Sequence, residues 1–287
     1  MTAALDAFQG EALVALYWHR LMSTEQVGRL LAPELAPALL RRKLAGLRRA
    51  GFAERIVREH LPGAWFLTSA GADAVEAAGV VDARAYRVAG PQVARLLQGH
   101  ALDVVETGLA FVESARRRGD ECGPLAWTPE VAHSFQDRAG KRGSVIADAV
   151  LHYVLENAEH GRRSQRTIFI ELDRATMPVA RLAQKLTAYL RYHDYAPANG
   201  RLAWRSRYPR FPRALIVLSG AAEHVLDRRL ADLRAHAHAT TGVGAAAGRV
   251  VMLATTLPRL RAAGPLAPVA SPLLGDDRRV SVFGRLA

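Results

Sequence analysis

The sequence predicts an α/β chain of the α+β kind built as two domains. The first is a small N-terminal domain of helices closed by a two-stranded ribbon; the second is a mixed sheet flanked by helices. Three observations predict this. Apolar residues in the first fifty positions recur at helical spacing and then give way to two short extended runs. From residue 125 onward, valine- and isoleucine-rich runs alternate with helical segments, the pattern of a sheet covered on both faces. Within that second stretch lies Thr167 to Tyr195, which reads as a buried strand ending in two acids, a turn and an amphipathic helix. A length of 287 residues suits about two domains.

Taken in order, Leu5, Phe8, Leu13, Leu16 and Tyr17 space a first helix over residues 5–18. Ser23 with Gln26 has the form of a capping box and opens a short helix that runs to Leu31. A third helix spans Pro37 to Ala50. Leu40, Leu44 and Leu47 form its apolar row, Arg41, Arg42, Lys43, Arg48 and Arg49 its exposed side, and Gly51 its stop. Residues 52–59 and 64–69 are extended, with hairpin chemistry at His60-Leu61-Pro62-Gly63 between them. A short helix follows Ser69. Two helices, a basic helix and a hairpin are the outline of a winged helix-turn-helix over residues 1–80, in which the basic helix enters the major groove of double-stranded DNA.

The charge agrees with such a partner. Lys and Arg number 39 against 27 Asp and Glu, a net +12. An arginine excess concentrates polyanions and supplies phosphate contacts. No helix joins a strongly basic face to a broad exposed apolar one, and no run of about 18 apolar residues occurs, so a membrane partner is not expected. The start of the chain lacks a basic n-region and does not read as a signal peptide. The single cysteine, Cys122, leaves no partner for an intramolecular disulfide and no cysteine-rich zinc site. The expected location is the cytoplasm.

Residues 81–98, with the Gly90-Pro91 pair, read as a linker. The second domain is expected over 99–265. It begins with an amphipathic helix at 100–118, followed by a short strand at 125–127 and a polar loop through Lys141 and Arg142. A strand over 145–155, a basic turn, the strand 167–173 and a helix over 178–195 come next, then a strand at 214–218, a helix and one more buried strand. Residues 266–287 read as a loose C-terminal tail with one added strand from Val280 to Phe283.

Side chains alternate along a strand, so Phe169, Glu171 and Asp173 share one face and Ile168, Ile170 and Leu172 the other. Two carboxylates that close repel unless water, an arginine or a metal cation sits with them. If strands 145–155 and 167–173 pair antiparallel, Asp148 joins them. On the following helix, Arg181, Lys185 and Tyr189 form a polar row beside Leu182, Leu186 and Leu190.

This order of elements, with Asp148 on one strand and Glu171 at the end of the next, resembles the core of restriction-endonuclease-like nucleases of the PD-(D/E)XK fold. The resemblance implies Mg2+ held by Asp148, Glu171 and Asp173, and a metal-dependent endonuclease or nickase with those acids and Lys185 as catalytic residues. Ala147 stands where the motif has proline, and Asp173 where it has lysine; Lys185 is then the displaced lysine. A closer resemblance, over nearly the whole chain, is to the replication-relaxation family. It is carried by His100, Asp148-Ala149, Glu171, Asp173, Arg174, Thr176, Leu182, Lys185, Leu186, Tyr189 and Phe211-Pro212-Arg213. It implies DNA binding and a role in plasmid or mobile-element replication, relaxation or mobilisation.

Plainer readings stand beside these. The acids can pair with Arg174, Arg181 or Lys185 in a structural ion network. In that case the chain is a non-catalytic DNA-binding or scaffolding protein whose partner is a replication initiator or relaxase, or a transcription regulator whose second domain senses a ligand. His236 and His238 diverge on a helix and read as surface. Trp204, Tyr208 and Phe211, set among arginines, read either as a nucleic-acid surface or as a loop folded onto the domain.

Overall fold

The computed structural model describes residues 5–84, 87–136, 140–157, 162–198, 200–240, 242–243 and 249–284. Its contacts divide the chain into two compact units, residues 1–109 with 123–125 and residues 110–122 with 126–287.

The first unit opens with α1 (Ala7–His19), whose N-terminus is closed by a reciprocal Asp6–Gln9 capping box. A two-residue strand β1 (Met22–Ser23) leads into α2 (Thr24–Leu31), and the Ser23–Gln26 box expected from the sequence is formed. Helix α3 (Pro37–Arg49) buries Leu40, Leu44 and Leu47. Strands β2 (Ala53–Arg58) and β3 (Leu61–Leu67) form the hairpin, and β1 adds to it, giving an antiparallel sheet in the order β1-β3-β2. Strand β1 is too short to carry a periodic signal. It exists because Met22 and Ser23 pair with Trp65 and Ala64. Helix α4 (Ser69–Ala77) follows, capped by Thr68.

Helix α5 (Pro91–Arg118) starts nine positions before the helix expected at 100. Pro91 opens it, because a proline at the first helical position gives up only an N–H that has no helical partner. Ala94, Leu97, Ala101 and Leu102 then pack on Leu21, Ile56, Ala64 and Phe66, so part of the stretch read as linker is core of the first unit. Gln26 Nε2 donates to the Leu102 carbonyl at 2.8 Å and to Glu106 at 3.1 Å, while Arg29 meets Glu106 at 2.7 Å, tying α2 to this helix.

The second unit is a six-stranded sheet in the order β4-β5-β6-β7-β8-β9. These strands are β4 (Trp127–Gln136), β5 (Arg142–Asn157), β6 (Arg162–Asp173), β7 (Arg213–Leu218), β8 (Met252–Thr256) and β9 (Ser271–Pro272). Strands β6, β7 and β8 run parallel; the other pairs are antiparallel. Helices α6 (Val179–Asp194) and α7 (Glu223–Ala239) make the β6–β7 and β7–β8 crossovers, and a short α8 (Leu257–Ala263) follows β8. Leu182, Leu186 and Tyr189 of α6 and Leu226, Leu230 and Leu233 of α7 bury one face together with Phe169 and Ile216. On the opposite face Tyr153 packs against Phe111 at 6.3 Å and Phe283 at 4.7 Å.

Two expectations change here. The polar loop read after residue 127 is mostly strand β4, whose odd positions His133 and Phe135 are buried. Its polar residues misled because β4 is an edge strand with one exposed side. The described part of the C-terminal segment is not loose: Ser271 and Pro272 pair with β8, Ala270 bridges Val280, and Leu273, Leu274, Val282 and Phe283 are buried.

Candidate functional site

The β5–β6 ladder runs from Asn157–Arg162 to Ala149–Ile170 and stops there. One step further along each strand are Asp148 and Glu171. Where the ladder ends, the Leu172 N–H has no strand partner on that side, and Asp148 Oδ2 accepts from it at 2.7 Å. The carboxylate takes the place of a ladder carbonyl. The side of β5 that faces α6 also changes here, since Val145, Ala147 and Val150 all join the α6 core.

Glu171 is enclosed, with its side chain 1% exposed. Helix α6 brings two donors to it one turn apart, at positions 185 and 189. Tyr189, fully buried, donates its hydroxyl to Oε1 at 2.5 Å, and Lys185 Nζ donates to Oε2. The same ammonium lies 3.8 Å from Asp148 Oδ1. Burial, then the neighbouring Asp148 charge, pushes the Glu171 carboxyl up to about 7 against the pull of Lys185 and Tyr189. Burial lowers the Lys185 pKa, but the charges of Glu171 and Asp148 outweigh it and hold the ammonium above its ordinary range. Burial, reinforced by the Glu171 charge, keeps the Tyr189 phenol well above its ordinary value. The cluster is one lysine ammonium set between two acids, of which the buried Glu171 has its carboxyl raised well above the ordinary range.

Asp173 shares Glu171's face of β6 but belongs to a second arrangement. Its side chain is 1% exposed; Oδ2 meets Arg229 Nε from α7, and Oδ1 accepts from the Ala175 N–H at 3.2 Å. Arg229 also donates to the Met177 carbonyl at 2.5 Å, and the Asp173 carbonyl accepts from Ser219 N–H at 2.8 Å. The turns after β6 and β7 touch here: Gly220 sits at φ +79, and a Cβ on it would lie 2.8 Å from the Arg174 carbonyl oxygen.

The structure therefore brings Asp148, Glu171 and Lys185 together, adds Tyr189, and turns Asp173 toward Arg229. A shared Mg2+ needs near-octahedral oxygen ligands at about 2.0–2.1 Å. As arranged, Glu171 gives one oxygen to Tyr189 and one to Lys185, and Asp173 answers a guanidinium. Among the described residues no group of three or more His, Cys, Asp or Glu side chains is placed to hold a metal ion. The three-acid metal centre expected from the sequence is not assembled in this arrangement.

Sequence reasoning missed Arg229. The signal was present: an arginine beside the apolar row Leu226, Leu230 and Leu233 of α7 is placed to meet a buried acid. His236 and His238 are exposed, as read. Trp204, Tyr208 and Phe211 are folded onto the unit. Trp204 and Tyr208 are buried, with Trp204 Nε1 donating to the His193 carbonyl at 3.1 Å and the Tyr208 hydroxyl 2.8 Å from His133 Nε2.

In the first unit, Arg41, Arg42, Arg48 and Arg49 of α3 are exposed. Lys43 is held back: its ammonium meets Asp6 at 2.5 Å and lies 5.7 Å from the centre of the Phe8 ring, tying α3 to α1. The hairpin adds Arg55 and Arg58, both exposed. Among the described residues no helix is long and apolar enough to cross a membrane.

No curated protein and no solved structure matches the chain. The model of one family, described as replication-relaxation, matches residues 13–202, well over half of the sequence and a span that includes α3, Asp148, Glu171, Lys185 and Tyr189. On that match, the chain belongs to the replication-relaxation family.

Proposed function

We propose that this chain is a DNA-binding protein of plasmid or mobile-element replication. In this reading the first unit is a winged helix that grips double-stranded DNA, and the second is a nuclease-like scaffold that no longer cuts. The family supports the replication role. Support for DNA contact comes from the basic face of α3, followed by a hairpin in the strand order β1-β3-β2. Exposed Arg41, Arg42, Arg48 and Arg49 reach base edges and phosphates, and Arg55 and Arg58 reach the backbone.

The observation that carries the non-cutting reading is Lys185. Its ammonium lies against Glu171 and 3.8 Å from Asp148, on the two acids to which the nuclease reading would assign a metal. A scaffold of this kind presents DNA to a catalytic partner such as a replication initiator or relaxase. The competing reading, metal-dependent nicking, is favoured by the convergence of Asp148, Glu171 and Lys185 on one spot.

One assay separates the two. Supercoiled plasmid is incubated with the protein and magnesium or manganese, and DNA binding is measured in parallel. Salt-sensitive binding with no change in plasmid topology is the expected result. Nicking by the parent protein that disappears in Asp148→Ala and Glu171→Ala overturns the scaffold. Absence of any DNA binding overturns the proposal as a whole.

A further inference from the structure

From Tyr195 to Ala222 the chain contains no aspartate or glutamate and five arginines. The structure sorts that stretch by residue type. In the run W-R-S-R-Y-P-R-F (204–211), Trp204 and Tyr208 go inward and Phe211 is half-buried, while Arg205, Arg207 and Arg210 are exposed. The aromatics are anchored as well as covered. The Trp204 indole is pinned to His193 and meets Phe211 edge-on at 5.7 Å, Tyr208 is pinned to His133, and Phe211 meets Phe169 edge-on at 5.7 Å. A 3-10 turn, Ala203–Ser206, and the Arg207 N–H bond to the Trp204 carbonyl at 3.0 Å tighten the backbone between the anchors.

Two of the three arginines have neutral partners that leave their charge intact. The Arg205 guanidinium lies 4.9 Å from the centre of the Trp204 ring, and Arg207 donates to the Ala132 carbonyl of β4 at 3.1 Å. Beside them is a cavity of about 260 Å³ lined by Pro197, Arg201, Leu202, Ala203, Arg205 and Ser206. A loop that serves only as a connection has no need to set three exposed cations within six residues, 205–210, with no carboxylate in the same stretch of sequence. Like charges so placed repel, and a polyanion relieves that repulsion.

We infer that Arg205, Arg207 and Arg210, with Arg201 at the cavity, form a second DNA-contacting surface, on the second unit, that grips the phosphate backbone. The aromatics face the core, so they offer no ring for a base to stack on, and this surface reads charge rather than sequence. Because the backbone is clamped by three aromatic anchors, little ordering remains to be done when phosphates bind. The inference rests on the DNA-binding reading and adds to it a site separate from α3.

The test uses the full chain and fluorescence anisotropy on a duplex of arbitrary sequence and on a single strand, across a salt series. The variants are the triple Arg205→Ala/Arg207→Ala/Arg210→Ala, its Arg→Lys counterpart, and the quadruple alanine variant of Arg41, Arg42, Arg48 and Arg49. Each lost phosphate contact flattens the plot of log K against log salt by about 0.9 on duplex and about 0.7 on single strand. The triple alanine variant is therefore expected to flatten the duplex slope by about 2.7 and to bind roughly tenfold or more weakly at low salt. The lysine variant should keep most of the slope, which separates lost charge from a damaged loop. If the loss appears only with the single strand, the surface holds a displaced strand and the inference stands in that form. A triple alanine variant with unchanged affinity and slope on both probes overturns it, even where the α3 variant loses binding. A parent protein that binds neither probe overturns this inference and the DNA-binding proposal together.

Discussion

Replacing Lys185 with methionine keeps an apolar stem of similar length and removes only the ammonium. It leaves Glu171, 1% exposed, beside Asp148 with no cation between them. Removing one partner of a buried ion pair costs about 3–5 kcal/mol. The Lys185 side chain is 36% exposed, so solvent screening reduces this to roughly 2 kcal/mol at pH 8. The sign with pH follows from Glu171. Its folded pKa, about 7, lies above the ordinary 4.5, so its contribution to stability is full below 4.5 and is lost as pH rises through 7. Without Lys185 that folded pKa moves higher still, and the deficit grows as pH climbs toward 8. At pH 5.5 Glu171 is protonated in both proteins, and the deficit shrinks to under about 1 kcal/mol. Thermal melts by circular dichroism are the assay. For a chain of this size about 1 kcal/mol moves Tm by roughly 2–4 °C, so a loss of about 4–8 °C is expected at pH 8 and less than half of that at pH 5.5. An equal loss at both pH values would mean the stem, not the charge, was responsible. No loss at pH 8 would refute the idea that Lys185 compensates the acids.

Arg229→Met strands Asp173 in the same way but with a less exposed cation, 13% against 36%, so a larger loss of about 3 kcal/mol is expected. Adding Asp173→Asn should recover part of it, read by urea denaturation. The quadruple alanine variant of Arg41, Arg42, Arg48 and Arg49 should weaken duplex binding sharply while leaving stability within about 0.5 kcal/mol, because these side chains lie on an exposed face. Lys43→Ala should do the reverse, loosening α1 against α3 with little effect on DNA, and a DNA-binding loss as large as that of the quadruple variant would contradict the placement. Millimolar magnesium should leave the wild-type melting temperature unchanged. The Cys122 thiol, buried and pushed up to about 12, should resist alkylation in the native protein and react at once in denaturant.

Most of the architecture was legible because it rests on local signals. The Ser23–Gln26 box, the leucine row of α3 and the amphipathic run of α6 each carry their pattern within a dozen residues, and each appears within a residue or two of its expected place. Strand β6 ends at Asp173 as expected but begins at Arg162, five residues before the strand read from 167. What failed was non-local. Strand β1 exists only through Trp65 and Ala64, more than forty residues away. Strand β4 hid because an edge strand buries alternate residues and leaves the rest polar. The C-terminal segment looked loose because its apolar residues follow no period; Val282 and Phe283 earn their burial from partners elsewhere in the unit.

The site was half legible for a related reason. Strand parity puts Glu171 and Asp173 on one face, and antiparallel pairing brings Asp148 beside Glu171; both follow from the period of two. Parity does not say which counter-charge each acid receives, and that decides the chemistry. The spacing of Lys185 and Tyr189 on α6 sends one helix turn to Glu171. An arginine on α7, separated from Asp173 by a whole βα unit, claims the second acid. Two acids two residues apart thus answer to two different helices, and an acid pair that looked like a metal site divides into two ion pairs. The division also explains how a strand can hold Glu171 and Asp173 side by side at 1% exposure each, which two uncompensated carboxylates could not do. In this fold the carboxylates of β6 bind the crossover helices to the sheet, so these acids are accounted for as structural ties, and the DNA-binding proposal rests on the basic surfaces of α3 and of the arginine loop instead.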